Sequence, residues 1–489
     1  MKTDDRTRWL ALIVICLGAL MNVLDSTIVG VALPSIRADL GFSQTSLAWV
    51  VNAYLLTFGG FLLLGGRLGD LFGQRRLFIG GIALFTAASL ICGLASSQAM
   101  LIGARTVQGV GGAVASAVAL SMIVSLFVEP GERAKAMGVF GFVAAGGGSI
   151  GVLLGGVLTS LLDWHWIFLV NVPIGVLVCT LSLRLLPAGG RAEHDRRIDI
   201  AGAVLVTSAL MLAVYAIVNG NQAGWLSGQT ITLGLVTVAL LAAFVGVESR
   251  VSSPLVPLRL FRGRNLATAN IVGVLWAGAM FAWFFLSALY LQLVLGYSPL
   301  RVGLVFLPAN LIMATFSLGL SAKIVTRFGI RAPLAIGLGL AAVGLALFAR
   351  APVHGSLVAD VLPSMLLLGL GAGLAFNPVL LAAMGDVDQS DSGLASGIVN
   401  TSFMMGGAVG LAALASLAAS RTTHLLGSGE NQIAALLGGY HLAYLIGAAF
   451  ALVAAVLSAL LLRTDAPPQP DRATESAHGS HAALVDCPA

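Results

Sequence analysis

The chain has 489 residues, 58% of them hydrophobic and only 10% charged, a balance that excludes a water-soluble globular domain and fits an integral membrane protein. Its formal charge of +5 would suit an anionic partner, but the basic residues recur in links between apolar runs, as membrane orientation demands, so nucleic-acid binding is not expected. Cys16, Cys92 and Cys179 lie inside apolar runs and Cys487 in a polar tail, which gives no disulfide or metal-binding framework.

Residues 1–8 carry Lys2, Arg6 and Arg8 ahead of the apolar run 9–31, which is too long for a signal peptide and ends at no small-residue cleavage site. Further runs able to span a bilayer follow at 46–66, 77–95, 101–126, 136–160, 166–186, 199–218, 230–247, 267–295, 300–322, 332–349, 357–384, 395–418 and 440–462, so fourteen transmembrane helices are expected in an all-α protein. An even number puts both termini on one side of the membrane. Of the 26 lysines and arginines, only Arg37, Arg301, Arg350 and Arg421 fall in the opposite set of links, with Arg105 inside a span, which predicts cytoplasmic termini. Beyond these spans Pro467, Pro468 and Pro470 open a polar stretch, 464–489, expected to be a disordered cytoplasmic tail.

Charges in the hydrocarbon region are costly unless they face a cavity or a partner, so the few present become functional candidates. Asp25 sits deep in the first span, with Asn22 on the same face at i−3. A carboxylate held between an apolar surround and a cation can exchange a proton; the competing reading is an acid permanently paired with an arginine. Arg105 lies in the fourth span, where Gln108 and Gly112 share its face and make a polar spot beside a groove for another helix. Between the second and third spans, Gly66, Arg67, Asp70, Gly73, Arg75 and Arg76 form a tight reversal in which arginines surround an acid. This reads as a conformational latch, although an ordinary cytoplasmic loop would carry the same positive residues.

The fifth span holds Gly147, Gly148, Gly151, Gly155 and Gly156, a density that signals backbone contact or bending. In the stretch 164–175 that follows, Trp164 and Trp166 suit interface anchors, and His165 an exposed interfacial position. A faint internal repeat is present. Gly329 and Arg331 match Gly73 and Arg75 at an offset of 256, with Thr326 where Asp70 would fall, so two related halves are expected and the latch is asymmetric. That offset is too long for six helices and fits eight, which leaves two extra spans between the halves.

An adaptable apolar cavity could be lined by Trp276, Phe281, Trp283, Phe284 and Phe285 of the ninth span with Phe403, Met404 and Met405 of the thirteenth, although lipid-facing or core packing accounts for the same residues. Asn22, Asp25, Gln108, Gln292, Asn310, Asn377 and Asn400 are the polar candidates to face a substrate. No Gly-x-x-x-x-Gly-Lys-Ser/Thr sequence is present, so direct ATP hydrolysis is not expected.

Together these stretches resemble the major facilitator superfamily of secondary transporters. Gly66-x-x-x-Asp70-x-x-Gly73-x-Arg75-Arg76 is similar to its signature loop, and Arg105 to Gly112 to its fourth-helix motif, whose arginine is linked to proton transfer in proton-coupled members. Gly147, Gly151, Gly155 and Gly156 resemble its antiporter motif, found in exporters, with Val152 where the family has proline. The Asp25 stretch and residues 164–175, with His165 in place of the usual arginine, look like the fourteen-helix drug:proton antiporters. The resemblance implies the major facilitator fold, with six-helix bundles at 1–186 and 266–463 and two extra central helices with cytoplasmic linkers at 187–265. The bundles would face a midplane cavity that opens alternately to either side. It also implies proton-driven export of amphipathic, drug-like or antibiotic molecules across a bacterial inner membrane, by a monomer that is not an enzyme and needs no cofactor or metal. Its partners would be protons, a small-molecule substrate and the lipid bilayer, and its latch would close the cytoplasmic side. A dedicated exporter of one endogenous metabolite would use the same residues; a non-transporting sensor would need a signalling domain that the short tail does not offer.

Overall fold

Backbone N–H and C=O groups that have no water to bind must be satisfied within their own segment, so a chain this apolar folds as helices. In the computed structural model, which describes residues 5–127, 129–186, 199–251, 254, 256, 258–316, 320–384 and 392–462, every regular element is helical. The chain runs through α1 Asp5–Leu40, α2 Trp49–Phe72, α3 Gln74–Cys92, α4 Gln98–Leu126, α5 Pro130–Leu161, α6 Trp166–Leu169 and α7 Asn171–Leu185. Next come α8 Ile200–Ala223 and α9 Gly228–Glu248, then α10 Arg264–Leu289, α11 Pro299–Thr315, α12 Ser321–Phe328, α13 Arg331–Phe348, α14 Leu362–Met384, α15 Ser392–Gly427 and α16 Gln432–Leu461. Among the described residues twelve helices are long and apolar enough to cross a membrane. The fifth and tenth expected spans are helical as α5 and α11, which carry the shorter apolar stretches Ile150–Leu161 and Pro299–Thr315 among the described residues. The expected polar tail at 464–489 and most of the link before α8 lie outside the described residues.

Local chemistry sets the helix ends. Ser97, Ser227, Ser298 and Asn431 cap α4, α9, α11 and α16 by accepting backbone N–H groups of the first turn. α2 stops at Phe72 because Gly73 takes φ +91°, and α12 stops at Phe328 because Gly329 takes φ +74°, a region that favours glycine. The two glycines matched in the sequence repeat therefore make the same kind of turn. The sixth expected span is broken into α6 and α7 at Val170, and Pro173 falls in the first turn of α7, where its missing N–H goes unmissed.

Helices α1 to α7 pack among themselves, chiefly α2 and α3 on α4 and α1 on α5, while α10 to α16 form a second packing group. Glycine allows the closest crossings: a β-carbon on Gly111 of α4 would lie 2.6 Å from the Phe85 nitrogen of α3. The two groups meet along two seams, α5 with α11 and α2 with α15. Helix α8 lies over the second seam, touching α2 where Gly60 faces Thr207 and α15 where Ser416 Oγ donates to the Ile217 carbonyl at 3.0 Å. Helix α9 packs chiefly on α8 and exposes Ile231, Leu235 and Val238, an apolar surface suited to lipid.

At the near end, where α1 begins, Arg8 Nη1 meets Glu132 Oε2 of α5 at 3.1 Å. At the far end, where α1 finishes, Gln98 Nε2 donates to the Leu40 carbonyl at 3.0 Å. In the far half the groups are tied together. Gln292 Nε2 donates to the Val31 carbonyl at 2.9 Å, the Leu300 N–H donates to Ser160 Oγ at 3.0 Å, and one hydrophobic core runs from α1 into α10, α11 and α13 to α16.

Candidate functional site

Asp25 and Arg105, eighty positions apart in sequence, face each other inside the first packing group. Arg105 Nη1 donates to Asp25 Oδ2 at 2.5 Å, and the side chains are 1% and 0% exposed. An ion pair removed from water this completely is tolerable only when its remaining hydrogen-bonding capacity is filled, and here it largely is. Asp25 Oδ1 accepts from Gln108 Nε2 at 2.8 Å and from Asn171 Nδ2 at 3.2 Å. Arg105 Nε donates to the Val50 carbonyl at 2.9 Å, and Nη1 also reaches Gln108 Oε1 at 2.6 Å. The guanidinium lies 4.5 Å from the Tyr54 ring centre and 5.6 Å from that of Phe168, which supplies attraction without a second anion.

The helix frame explains why these groups converge. Arg105 and Gln108 are three apart on one face of α4, and α4 meets α1, α2 and α3 through small residues. Gln108 Nε2 also donates to Ser89 Oγ of α3 at 2.8 Å, so its amide serves the cluster rather than a ligand. Chemically, the cluster holds one acid and one cation in a dry, hydrogen-bonded setting, where gain or loss of a single proton changes the local charge with no solvent to screen it. Sequence reasoning missed Asn171, Ser89 and Tyr54. Asn171 carried a signal, being an uncharged polar side chain inside an otherwise apolar stretch.

The other candidates fall elsewhere. Asn22 faces α4, donating to Ser116 Oγ at 2.8 Å, and is not gathered with the aromatic residues. Gln292 is committed to the Val31 carbonyl across the two groups. Phe403 sits between Phe281 and Phe376, with ring centres 6.1 and 6.0 Å apart, and Met404 lies against Gly59 of α2. Trp283, Phe284 and Phe306 form a second aromatic set, with Asn310 one turn along α11 from Phe306. Among the described residues Trp276 Nε1, Trp283 Nε1 and Asn310 Nδ2 are buried donors without a partner, whereas Asn377 has a partner and Asn400 is half-buried. Phe285 and Met405 are buried.

In the latch stretch, Gly69 rests on Val118 of α4, Arg75 donates to the Leu183 carbonyl of α7, Arg76 is exposed and Gly66 borders open space. The side chains of Arg67 and Asp70 lie outside the described residues, as does that of Thr326 in the second copy. The glycine-rich helix α5 runs unbroken through Val152. Gly147, Gly151 and Gly155 form a stripe against α1, where a β-carbon on Gly155 would lie 2.6 Å from the Ile28 carbonyl. Gly156 faces α11 instead, 2.7 Å by the same measure from the Pro299 carbonyl. Trp164, expected as an interface anchor, is 3% exposed and donates through Nε1 to Asp39 Oδ2 at 3.0 Å, because the α5–α6 link folds back onto the end of α1. Trp166 is exposed, and His165 is half-buried, stacked on Trp164 and 3.0 Å from Asp163 Oδ1. Among the described residues no group of three or more His, Cys, Asp or Glu is gathered to hold a metal.

Comparison with known proteins agrees with this architecture. The family model described as Major Facilitator Superfamily matches residues 15–411. The chain is 39% identical over 459 residues to the puromycin resistance protein pur8 of Streptomyces alboniger, covering 94% of this chain and 91% of that protein. It is 40% identical to the cephamycin export protein CmcT of Amycolatopsis lactamdurans, covering 96% and 95% of the two chains. It is 37% identical to the multidrug resistance protein Stp of Mycobacterium tuberculosis strain H37Rv, covering 85% and 77%. Among solved structures, the POT family transporter PepTSo superposes with a TM-score of 0.69 at 15% identity, covering 94% of this chain and 98% of that one. A bacterial homologue of the human lysosomal transporter Spinster, inward-facing and unoccupied, superposes with 0.65 at 16% identity, with the same coverage, 94% and 98%. At such identity these structures speak for the fold alone.

Proposed function

The chain belongs to the Major Facilitator Superfamily, and we propose that within it the protein is a proton-coupled antiporter exporting amphipathic, drug-like or antibiotic molecules from a bacterial cytoplasm. It is a multi-pass membrane transporter of small molecules, neither an enzyme nor dependent on a cofactor. The observation that carries the coupling is the buried Asp25–Arg105 cluster. An acid so enclosed has no role in packing that an apolar residue would not fill more cheaply, and a proton arriving there would dissolve an ion pair on which four helices converge.

In this reading both termini are cytoplasmic, so the far end is the outer one. The two packing groups are the two bundles of the alternating-access cycle, and they work as a monomer. An inward proton neutralises Asp25, releases Arg105 and favours the arrangement in which substrate leaves outside; loss of the proton toward the cytoplasm restores the pair. The membrane potential supplies about 2.3 kcal/mol per charge per 100 mV. The aromatic sets around Phe403 and Trp283, with the unpartnered indole and amide donors beside them, supply an apolar wall with a few hydrogen-bonding points, a surface suited to amphipathic compounds. Arg67, Asp70, Arg75 and Arg76 act as the cytoplasmic latch.

The test is proton movement in liposomes containing the purified protein, with an imposed pH gradient and ethidium or puromycin as probe. Proton release on substrate addition, lost in Asp25→Asn although that variant still binds the probe, is the expected result. Full proton-driven export by Asp25→Asn refutes the coupling role. A dedicated exporter of one antibiotic is the second reading, favoured by the single compounds in the names of the puromycin and cephamycin relatives. A panel of chemically unrelated toxic compounds separates the two.

A further inference from the structure

Helix α2 carries, in its first turn at the far end, a polar side chain that the fold leaves unsatisfied. Asn52 is 0% exposed, and neither its Oδ1 nor its Nδ2 has a partner among the described residues. Folded proteins pair nearly all their buried amides, so an amide with both ends bare marks a place that another state of the molecule, or a ligand, completes.

Helix geometry places Asn52 in the seam between the two packing groups. Gly59 and Leu63, seven and eleven positions on, share its stripe of α2. That stripe meets α15: a β-carbon on Gly59 would lie 3.0 Å from Met404 Cβ and 3.4 Å from the Thr401 carbonyl, and one on Gly397 would lie 2.6 Å from Leu63 Cδ2. Partners rise along α15 as they fall along α2, so the helices run antiparallel, and the same register sets Asn52 against Ala408 and Ala412. Both alanines are 0% exposed, share a hydrophobic core with Leu55 and Leu56 of α2, and have no side-chain group to bind an amide. Deeper in the seam the buried hydroxyl of Thr401 is likewise without a partner among the described residues.

Asn52 thus stands between two features of the same seam. On its near side lie Met404 and the aromatic set around Phe403. At the far end the seam finishes in a pocket of about 430 Å³ lined by Ser43, Gln44, Thr45, Ser420, Thr423 and His424. Between that pocket and Asn52 the turn Ser46–Ala48 packs on α15 with Leu47 and Ala48 fully buried, so the seam is shut at this depth. The same turn of α2 is held by the charged cluster, because the Val50 carbonyl, two positions before Asn52, accepts from Arg105 Nε at 2.9 Å.

We propose that Asn52 is a release-side station for exported molecules that bear hydroxyl or amide groups: when the far half opens along this seam, its amide binds such a group as the molecule passes from the aromatic set toward the outer pocket. An asparagine offers both an acceptor and donors, so it suits a group that gives and accepts hydrogen bonds and does nothing for a compound that has neither. Asn52 is in this role a specificity residue that carries no proton. The proposal rests on the export reading above.

Uptake driven by a pH gradient into the same liposomes tests it with two probes: puromycin, which carries hydroxyl and amide groups, and tetraphenylphosphonium, a lipophilic cation with no hydrogen-bonding group. Asn52→Leu removes the amide at similar bulk, and Asn52→Ala removes it without adding any. Both are expected to slow puromycin uptake by about fivefold or more while tetraphenylphosphonium uptake stays within about twofold, and Asn52→Ser is expected to recover part of the puromycin rate. Because the amide has no partner to lose, the thermal midpoint of Asn52→Leu should not fall. Equal slowing of both probes, or a lowered midpoint, would make Asn52 a structural residue of the seam and overturn the station, as would an unchanged puromycin rate in both variants. Absence of gradient-driven uptake of either probe by the unaltered protein would instead overturn the export reading, and the station with it.

Discussion

Whether the buried cluster behaves as one electrostatic unit is tested by deleting its charges singly and together. In Arg105→Gln the carboxylate of Asp25 keeps Gln108 and Asn171 but loses the charged partner it has among the described residues, and the Val50 carbonyl and Gln108 Oε1 lose donors. Breaking a fully buried pair from one side costs about 3–5 kcal/mol. Asp25→Asn is gentler. The amide keeps the shape, and the guanidinium retains the Val50 carbonyl, Gln108 Oε1 and the Tyr54 ring, so the loss is about 1–2 kcal/mol. In the double variant neither charge remains, and its cost should lie close to that of Asp25→Asn alone. Tryptophan-fluorescence melts of the purified protein in detergent should therefore rank Arg105→Gln lowest, with the midpoint rising when Asp25→Asn is added to it. A double variant that melts below Arg105→Gln would show that the two residues contribute independently, and the electrostatic account of the cluster would fail.

Two further outcomes follow from the same geometry. With the Leu300 N–H 3.0 Å from Ser160 Oγ, the pair Ser160→Cys and Leu300→Cys should form a disulfide across the α5–α11 seam, and it should block transport until a reductant is added; unchanged transport by the crosslinked protein would mean that this seam need not open. Trp283→Phe removes a buried indole N–H that has no partner among the described residues, so thermal stability should hardly fall, whereas binding of a hydrogen-bonding substrate such as puromycin should weaken by about five- to tenfold. Loss of stability with unchanged affinity would place that indole in the packing and not in the substrate's path.

The parts of this molecule governed by solvent were legible in the sequence. Long apolar runs had to be helices, and Gly73 and Gly329 stand where only a left-handed turn reverses the chain so tightly. Asp25 and Arg105 stood out because charge is rare in such runs, yet their pairing depended on how α4 packs against α1, which periodicity alone does not reveal. Neutral polar residues were harder to read. Asn171, Ser89, Gln108 and Asn22 look alike in an apolar run, and only the packing separates those that hold Asp25 from the one that binds Ser116. The burial of Trp164 was not legible because a tryptophan at a helix end suits an interface equally well whether or not the following link folds inward to offer it Asp39.

The enclosure of Asp25 bears on how coupling works within the proposed cycle. Direct competition between a proton and a cationic substrate for one carboxylate is the simplest scheme for antiport, but it requires the substrate to reach that carboxylate. Here Asp25 is 0% exposed, and both its oxygens are engaged by Arg105, Gln108 and Asn171 of α4 and α7. A drug-sized cation would have to displace three donors and part α1 from α4 to touch it. The aromatic sets lie chiefly on α10, α11, α14 and α15, in the other packing group. The proposed coupling would therefore run through packing rather than through shared occupancy. In the proposed cycle, proton arrival would loosen Arg105 from Asp25, and α1, which contacts α5 through the glycine stripe, would pass the readjustment to the α5–α11 seam. On this scheme neutral and cationic substrates are exported alike, because neither needs the acid itself, and a strict requirement for positive charge would return the argument to direct competition at Asp25.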